Sequence, residues 1–162
     1  MTKKIEVAVF TGSKSDLPTL KSLGETLDKL GIGYELKITS AHRTPEQTKR
    51  FIEYYDKELN VSAFICAAGF AAHLAGVVAA ETLKPVIGIP IDNSPLNGLD
   101  SLLSTVQMPS GMPVATVTIG SAGAKNAAIL AAQIIALNNP EVAQRLQEMR
   151  NKNREDIEKL NE

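Results

Sequence analysis

Apolar, β-branched runs recur along the chain at Ile5 to Phe10, Tyr34 to Thr39, Ser62 to Ala67, Pro85 to Pro90 and Val114 to Ile119, and each reads as a strand. The stretches between them carry helical spacing. Leu20, Leu23, Leu27 and Leu30 share one face, as do Phe51, Ile52, Tyr55 and Leu59, and Leu74 to Leu83, Leu99 to Val106 and Ala122 to Leu137 read as further helices. Strands alternating with helices predict an α/β fold with a parallel sheet covered on both faces, because each crossover is right-handed and packs its apolar face back on the sheet. Five such strands suggest the order 2-1-3-4-5, in which ligands bind beyond the carboxyl ends of the strands near strand 1.

Two segments stand apart from this alternation. Pro140 to Glu162 is a charged helix with a thin stripe of Val142, Leu146, Met149, Ile157 and Leu160, too narrow for a monomer's core and suited to docking on a neighbouring subunit. Met108 to Pro113 is a proline- and methionine-bearing loop of the kind that closes an interface or a pocket. The length of 162 residues predicts one domain spanning 1–162, with the helix at about 140–160 as an oligomerisation element.

Composition narrows the function by exclusion. With 17 Lys+Arg against 18 Asp+Glu the net charge is −1, so no global field or basic run recruits nucleic acid. The lysine-bearing start, Met1 to Glu6, runs straight into a strand pattern without an apolar export signal, which predicts a cytoplasmic protein. Phe70 to Ala80 is too short, and too broken by His73 and Gly76, to span a membrane. One cysteine and two histidines are too few for a dedicated transition-metal site, and Cys66, inside an apolar strand, reads as a reduced buried thiol.

The chemistry gathers in three turns, each following a predicted strand. Ser40-Ala41-His42-Arg43-Thr44-Pro45 joins strand 2 to a helix start that Thr44 would cap, with Pro45 in the first turn and Gln47 able to reach back. This leaves His42 and Arg43 on the rim. Thr11 to Asp16 offers Gly12 for a tight turn, the hydroxyls of Ser13 and Ser15 for a phosphate, and Asp16 either to cap a helix or to accept from ribose hydroxyls. Its Gly-Ser-Lys-Ser lacks the spacing of a nucleotide-triphosphate loop. Ala67 to Gly76 supplies small residues around Gly69 that let backbone amides approach a carboxylate, while His73 reads either as a hydrogen-bonded structural residue or as a ligand contact. In the 2-1-3 order these turns are neighbours. Ser13, Ser40 and Arg43 would then form a phosphate site, Asp16 a sugar acceptor and Gly69 a carboxylate cradle, with His42 the well-placed proton carrier. That inventory fits a phosphorylated sugar or nucleotide undergoing proton transfer with no metal and no redox cofactor.

At these residues the chain resembles the bacterial N5-carboxyaminoimidazole ribonucleotide mutases, a class within the aminoimidazole ribonucleotide carboxylase family. The likeness rests on G-S-x-S-D at Gly12 to Asp16, S-A-H-R-T-P at Ser40 to Pro45, A-A-H-L at Ala71 to Leu74, P-V-I-G-I-P at Pro85 to Pro90, G-L-D-S-L-L-S-x-V-Q-M-P at Gly98 to Pro109 and P-V-A-T-V at Pro113 to Val117. The resemblance implies a flavodoxin-like three-layer subunit and a homo-octamer. It also implies transfer of a carboxylate from the exocyclic nitrogen to ring carbon 4 of the ribonucleotide, a step of purine biosynthesis. Carried over residue by residue, His42 is the acid/base, Ser13, Asp16 and Arg43 bind substrate, and Ser40 supports the phosphate. The related carboxylases that take free carbon dioxide carry Lys-Gly-Pro where this chain has Arg43-Thr44-Pro45 and lack A-A-H-L, so the chain sides with the mutases. It departs from many relatives at Phe70, where they have glycine, and at Ala75, where they have proline. Phe70 is expected at a negative φ.

Overall fold

The structure, a computed structural model, describes residues 4–161. Part of the lysine-bearing start (residues 1–3) and Glu162 of the predicted last helix lie outside the described residues. Strands β1 (Ile5–Thr11), β2 (Gly33–Ile38), β3 (Ala63–Ala68), β4 (Val86–Pro90) and β5 (Ala115–Thr116) form one all-parallel sheet of order β2-β1-β3-β4-β5. Helices α1 (Lys21–Lys29), α2 (Pro45–Glu53), α3 (Leu74–Glu81), α4 (Leu99–Val106), α5 (Gly120–Ala136) and α6 (Pro140–Glu158) complete it.

Alternation along the strands sorts side chains into two cores, since successive residues point to opposite faces. Val7, Val9, Ile65 and Ala67 face one layer with Leu23 and Leu27 of α1 and the alanines of α5. Ala8, Phe10, Phe64 and Cys66 face the other, against Ile52 and Tyr55, and Leu74 and Val78 of α3. Ala124, Ala127, Ala128, Ala131 and Ala132 are fully buried, so α5 lies close on the sheet and on α1. This three-layer arrangement is flavodoxin-like. Cys66 is buried in β3, and burial pushes its thiol up, so a thiolate is disfavoured there.

Several elements differ from the sequence reading for local physical reasons. The fifth strand is only Ala115–Thr116, because the chain leaves the sheet edge early and swings through Gly120, at φ +75°, into α5; Val117 N–H still reaches the Gly88 carbonyl at 3.0 Å. The face of Phe51, Ile52, Tyr55 and Leu59 is not one α-helix: α2 ends at Glu53 and widens into a π-turn over Tyr54–Glu58. That wider turn brings the Tyr55 hydroxyl to donate to Glu35 Oε2 at 2.5 Å, which holds the Glu35 carboxyl below its usual range. Thr44 does not cap α2 with its side chain; it turns back instead, accepting from Ser40 N–H at 2.9 Å and donating to the Ser40 carbonyl at 3.2 Å.

The last helix also corrects its reading. Val142 and Leu146 are buried in the chain's own core, with Met149 packed beside them, so the first half of the stripe docks on the same subunit. Only its far end, Ile157 and Leu160, stays exposed. The two loop methionines, Met108 and Met112, are half-buried rather than free.

Candidate active site

Four turns at the carboxyl ends of adjacent parallel strands enclose a cleft of about 370 Å³. Its walls include Ser13, Asp16, Ser40, His42, Arg43, Gly69 and His73, so every residue singled out from the sequence meets in one place. The reason is topological. The chain runs outward from β1 to β2 and then returns to β3 on the other side of β1, which sets the β1, β2 and β3 turns side by side.

The β2 turn is built around Arg43. Its backbone N–H donates to Ser40 Oγ at 3.2 Å, and its guanidinium reaches Ser40 Oγ at 3.4 Å and the Gly12 carbonyl at 2.5 Å. The side chain therefore ties the β1 and β2 turns together, and the guanidinium keeps further N–H donors beyond these two contacts. Among the described residues no carboxylate pairs with it. Beneath the turn, Thr39 and Thr48 are buried and share a 2.8 Å hydroxyl contact, which links the turn to α2.

His42 and His73 meet across the cleft. His42 Nε2 lies 2.6 Å from His73 Nδ1, with ring centroids 4.7 Å apart and planes at 77°. One nitrogen donates and the other accepts, so the pair holds a single proton on this line and each ring fixes the tautomer of the other. Both rings are exposed to the cleft. His73 N–H bonds the Ala71 carbonyl at 2.9 Å, so this amide is not available as part of an anion cradle.

In the β1 turn, Ser13 caps the short 3-10 turn Lys14–Asp16 by accepting from Ser15 N–H. Asp16 does not cap. It is buried, and its carboxylate accepts from Thr11 Oγ1 at 3.0 Å, Ser15 Oγ at 3.1 Å and Asn93 Nδ2 at 2.9 Å. Asn93 belongs to the turn after β4, a fourth wall that the sequence reading missed. The only signal available was topological, since β4 sits next to β3 and its carboxyl end must open onto the same rim.

Phe70 corrects the expectation most sharply. Its φ is +55°, in the left-handed region, because the chain must reverse between β3 and α3 immediately after Gly69. The residue is 54% exposed at the cleft. A non-glycine residue there costs about 1–2 kcal/mol, and glycine's own chain entropy offsets roughly 0.5–1 kcal/mol of any relief. Phe70→Gly is expected to raise stability by up to about 1 kcal/mol, a thermal midpoint shift of roughly 2–4 °C. A melting curve shifted downward would count against strain at this position.

A larger concavity of about 1130 Å³ opens at the opposite end of the sheet, between the end of α3, Pro85 and the Met112 loop. It has no histidine and only Asp56, Glu81 and Lys84 as charged residues, so it lacks the proton carrier and guanidinium that the smaller cleft brings together.

Comparison with known proteins agrees with this architecture. Residues 6–156 match the sequence pattern of the AIR carboxylase family. The chain is 48% identical to the N5-carboxyaminoimidazole ribonucleotide mutase of Vibrio cholerae, over 93% of each chain. It is 50% identical to that of Thermotoga maritima, over 93% of this chain and 86% of the relative. The crystal structure of Treponema denticola PurE superposes with a TM-score of 0.86 at 30% identity, covering 94% of both chains. A match over nearly the whole chain, on a fold of the same strand order and with the cleft at the family's motifs, has one reading: the chain belongs to the AIR carboxylase family.

Proposed function

We propose that this protein is an N5-carboxyaminoimidazole ribonucleotide mutase of purine biosynthesis, an isomerase that moves a carboxylate from the exocyclic nitrogen to carbon 4 of the imidazole. The observation that carries the reading is the position of His42, in one cleft with the Gly12 and Gly69 turns and beside Arg43. The extended identity to mutases supports it, and the Arg43-Thr44-Pro45 and Ala71 to Leu74 motifs favour this class over a carboxylase taking free carbon dioxide.

In this mechanism Arg43, Ser40 and Ser13 hold the phosphate, because an arginine fork with adjacent hydroxyls matches its oxygens. Asp16 accepts from the sugar, and the backbone of the Gly69 turn meets the carboxylate. His42, protonated, gives its proton to the exocyclic nitrogen. The N–C bond to the carboxylate breaks and releases carbon dioxide, leaving an electron-rich aminoimidazole. Carbon 4 attacks the retained carbon dioxide to form the new C–C bond, and its proton passes back to His42 as aromaticity returns. One proton has moved from carbon to nitrogen, and His42 ends as it began. His73 holds the His42 ring in one orientation through the 2.6 Å contact. Retention of the gas molecule in a closed pocket is what makes the transfer efficient.

The working form in this reading is a cytoplasmic homo-octamer of one-domain subunits. Leu99, Leu103 and Val106 of α4, left exposed on the single chain at 52%, 47% and 48%, are apolar surface that other copies would cover. The decisive assay supplies the carbamate ribonucleotide without ATP or added metal and follows the C4-carboxylated product. Turnover is expected from the carbamate and not from aminoimidazole ribonucleotide with bicarbonate. The reverse preference would assign the chain to the carbon dioxide-using class.

A further inference from the structure

The carboxylate of Asp16 has three donors, and they are not equivalent. Thr11 and Ser15 lie within the same strand end and turn, but Asn93 comes from the β4 turn, 77 residues further along the chain. Oδ1 takes both Ser15 and Asn93, while Oδ2 takes only Thr11. A carboxylate offers about four lone-pair positions, so one acceptor position is left, on Oδ2. The torsion that turns a carboxylate plane is broad, and the two local donors both come from the same strand end and turn as Asp16 itself. The cross-turn amide is the contact that ties that plane to the β4 turn.

Asn93 also touches the third turn. A Cβ on Gly69 would overlap the Asn93 side-chain oxygen, so the absence of a side chain at Gly69 is what lets Asn93 lie across the cleft floor. The β4 turn itself does not need Asn93. It is held by Ser94 Oγ donating to Asp100 Oδ1 at 2.7 Å, by Leu96 N–H to Ser94 Oγ at 3.2 Å and by Ser101 Oγ donating to the Ile91 carbonyl at 2.8 Å. Asn93 therefore spends its side chain on the cleft and not on the turn that carries it.

We propose that Asn93 is a positioning residue for the sugar end of the substrate: its amide sets the plane of the Asp16 carboxylate so that the free lone pair on Oδ2 meets a ribose hydroxyl. The assignment rests on the mutase reading above. An asparagine suits the role because it donates without charge. A lysine there would pair with Asp16 and compete for the acceptor, and a second carboxylate would repel it.

The test is steady-state kinetics with the carbamate ribonucleotide, together with calorimetric binding of the carboxylated product. Asn93→Ala is expected to raise KM and the product Kd about 10-fold, as for one hydrogen bond to a charged group, with kcat nearly unchanged. In combination with Asp16→Ala it should add nothing beyond Asp16→Ala alone. Asn93→Asp should raise KM more at neutral pH. Its KM relative to wild type should then fall as pH is lowered, because a proton shared by two adjacent carboxyls restores a donor to Asp16; the Asn93→Ala ratio should stay flat. Taking the ratio at each pH cancels the pH dependence of the wild-type cleft. An unchanged KM in Asn93→Ala, additive losses in the double variant, or a loss confined to kcat would each overturn the assignment while active wild type keeps the mutase reading intact. Wild type that neither turns over the carbamate nor binds the product would overturn both.

Discussion

His42→Asn is expected to lower kcat by about 10²–10⁴-fold, the usual contribution of general acid–base catalysis, with ribonucleotide binding largely retained. Asparagine keeps a polar side chain of similar reach but does not exchange a proton near neutral pH. The exposed imidazole adds little to packing, and the turn is held by the Ser40–Thr44 backbone and side-chain bonds, so the fold should tolerate the change. The measurement is single-turnover formation of the carboxylated product alongside calorimetric binding. Activity within a few-fold of wild type would remove His42 from the chemistry and move attention to His73, 2.6 Å away.

Arg43→Ala should act on affinity instead. Loss of a charge-assisted hydrogen bond costs about 1.5–3 kcal/mol, so the Kd for the ribonucleotide is expected to rise roughly 10–100-fold, with a smaller fall in kcat. Part of the effect comes from loosening, since the guanidinium joins the Gly12 carbonyl to Ser40. Arg43→Lys separates the two contributions: an ammonium keeps the charge but does not fork between the turn and a phosphate, so it should recover only part of the affinity. Equal affinity of Arg43→Ala and wild type for the ribonucleotide would place the phosphate elsewhere in the cleft.

Much of this molecule is legible in its sequence. Strand and helix periods are strong signals where an element is buried on one or both faces, as with Val7 to Phe10 or Ala63 to Ala67. The signal failed where an element meets solvent or must bend. At the sheet edge, apolar Val114 to Ile119 has too few partners to stay a strand, and only two residues pair. After Glu53 a helical face continues in the sequence while the backbone widens to bring the Tyr55 hydroxyl to Glu35. Along α6, a stripe too thin to predict burial is buried for its first half, because α5 offers the surface on which Val142 and Leu146 pack.

The same division runs through the cleft. The three local turns are marked by their own chemistry, since Gly12, Ser40 to Arg43, and Gly69 each interrupt an apolar strand with small or polar residues. Sequence by itself determined which segments are strands and helices, that they alternate, and the residue types present at the strand ends, because hydrophobic period and chain connectivity are local properties that the chain carries with it. Only the tertiary structure decided that His42 pairs with His73, that Asp16 is buried under three donors, that Phe70 takes a left-handed backbone and that Asn93 joins the site. The pairings of His42 with His73 and of Asp16 with Asn93 join segments distant in the chain, fixed by how the turns after β1, β2, β3 and β4 meet at one rim, and no local pattern encodes a distance between them.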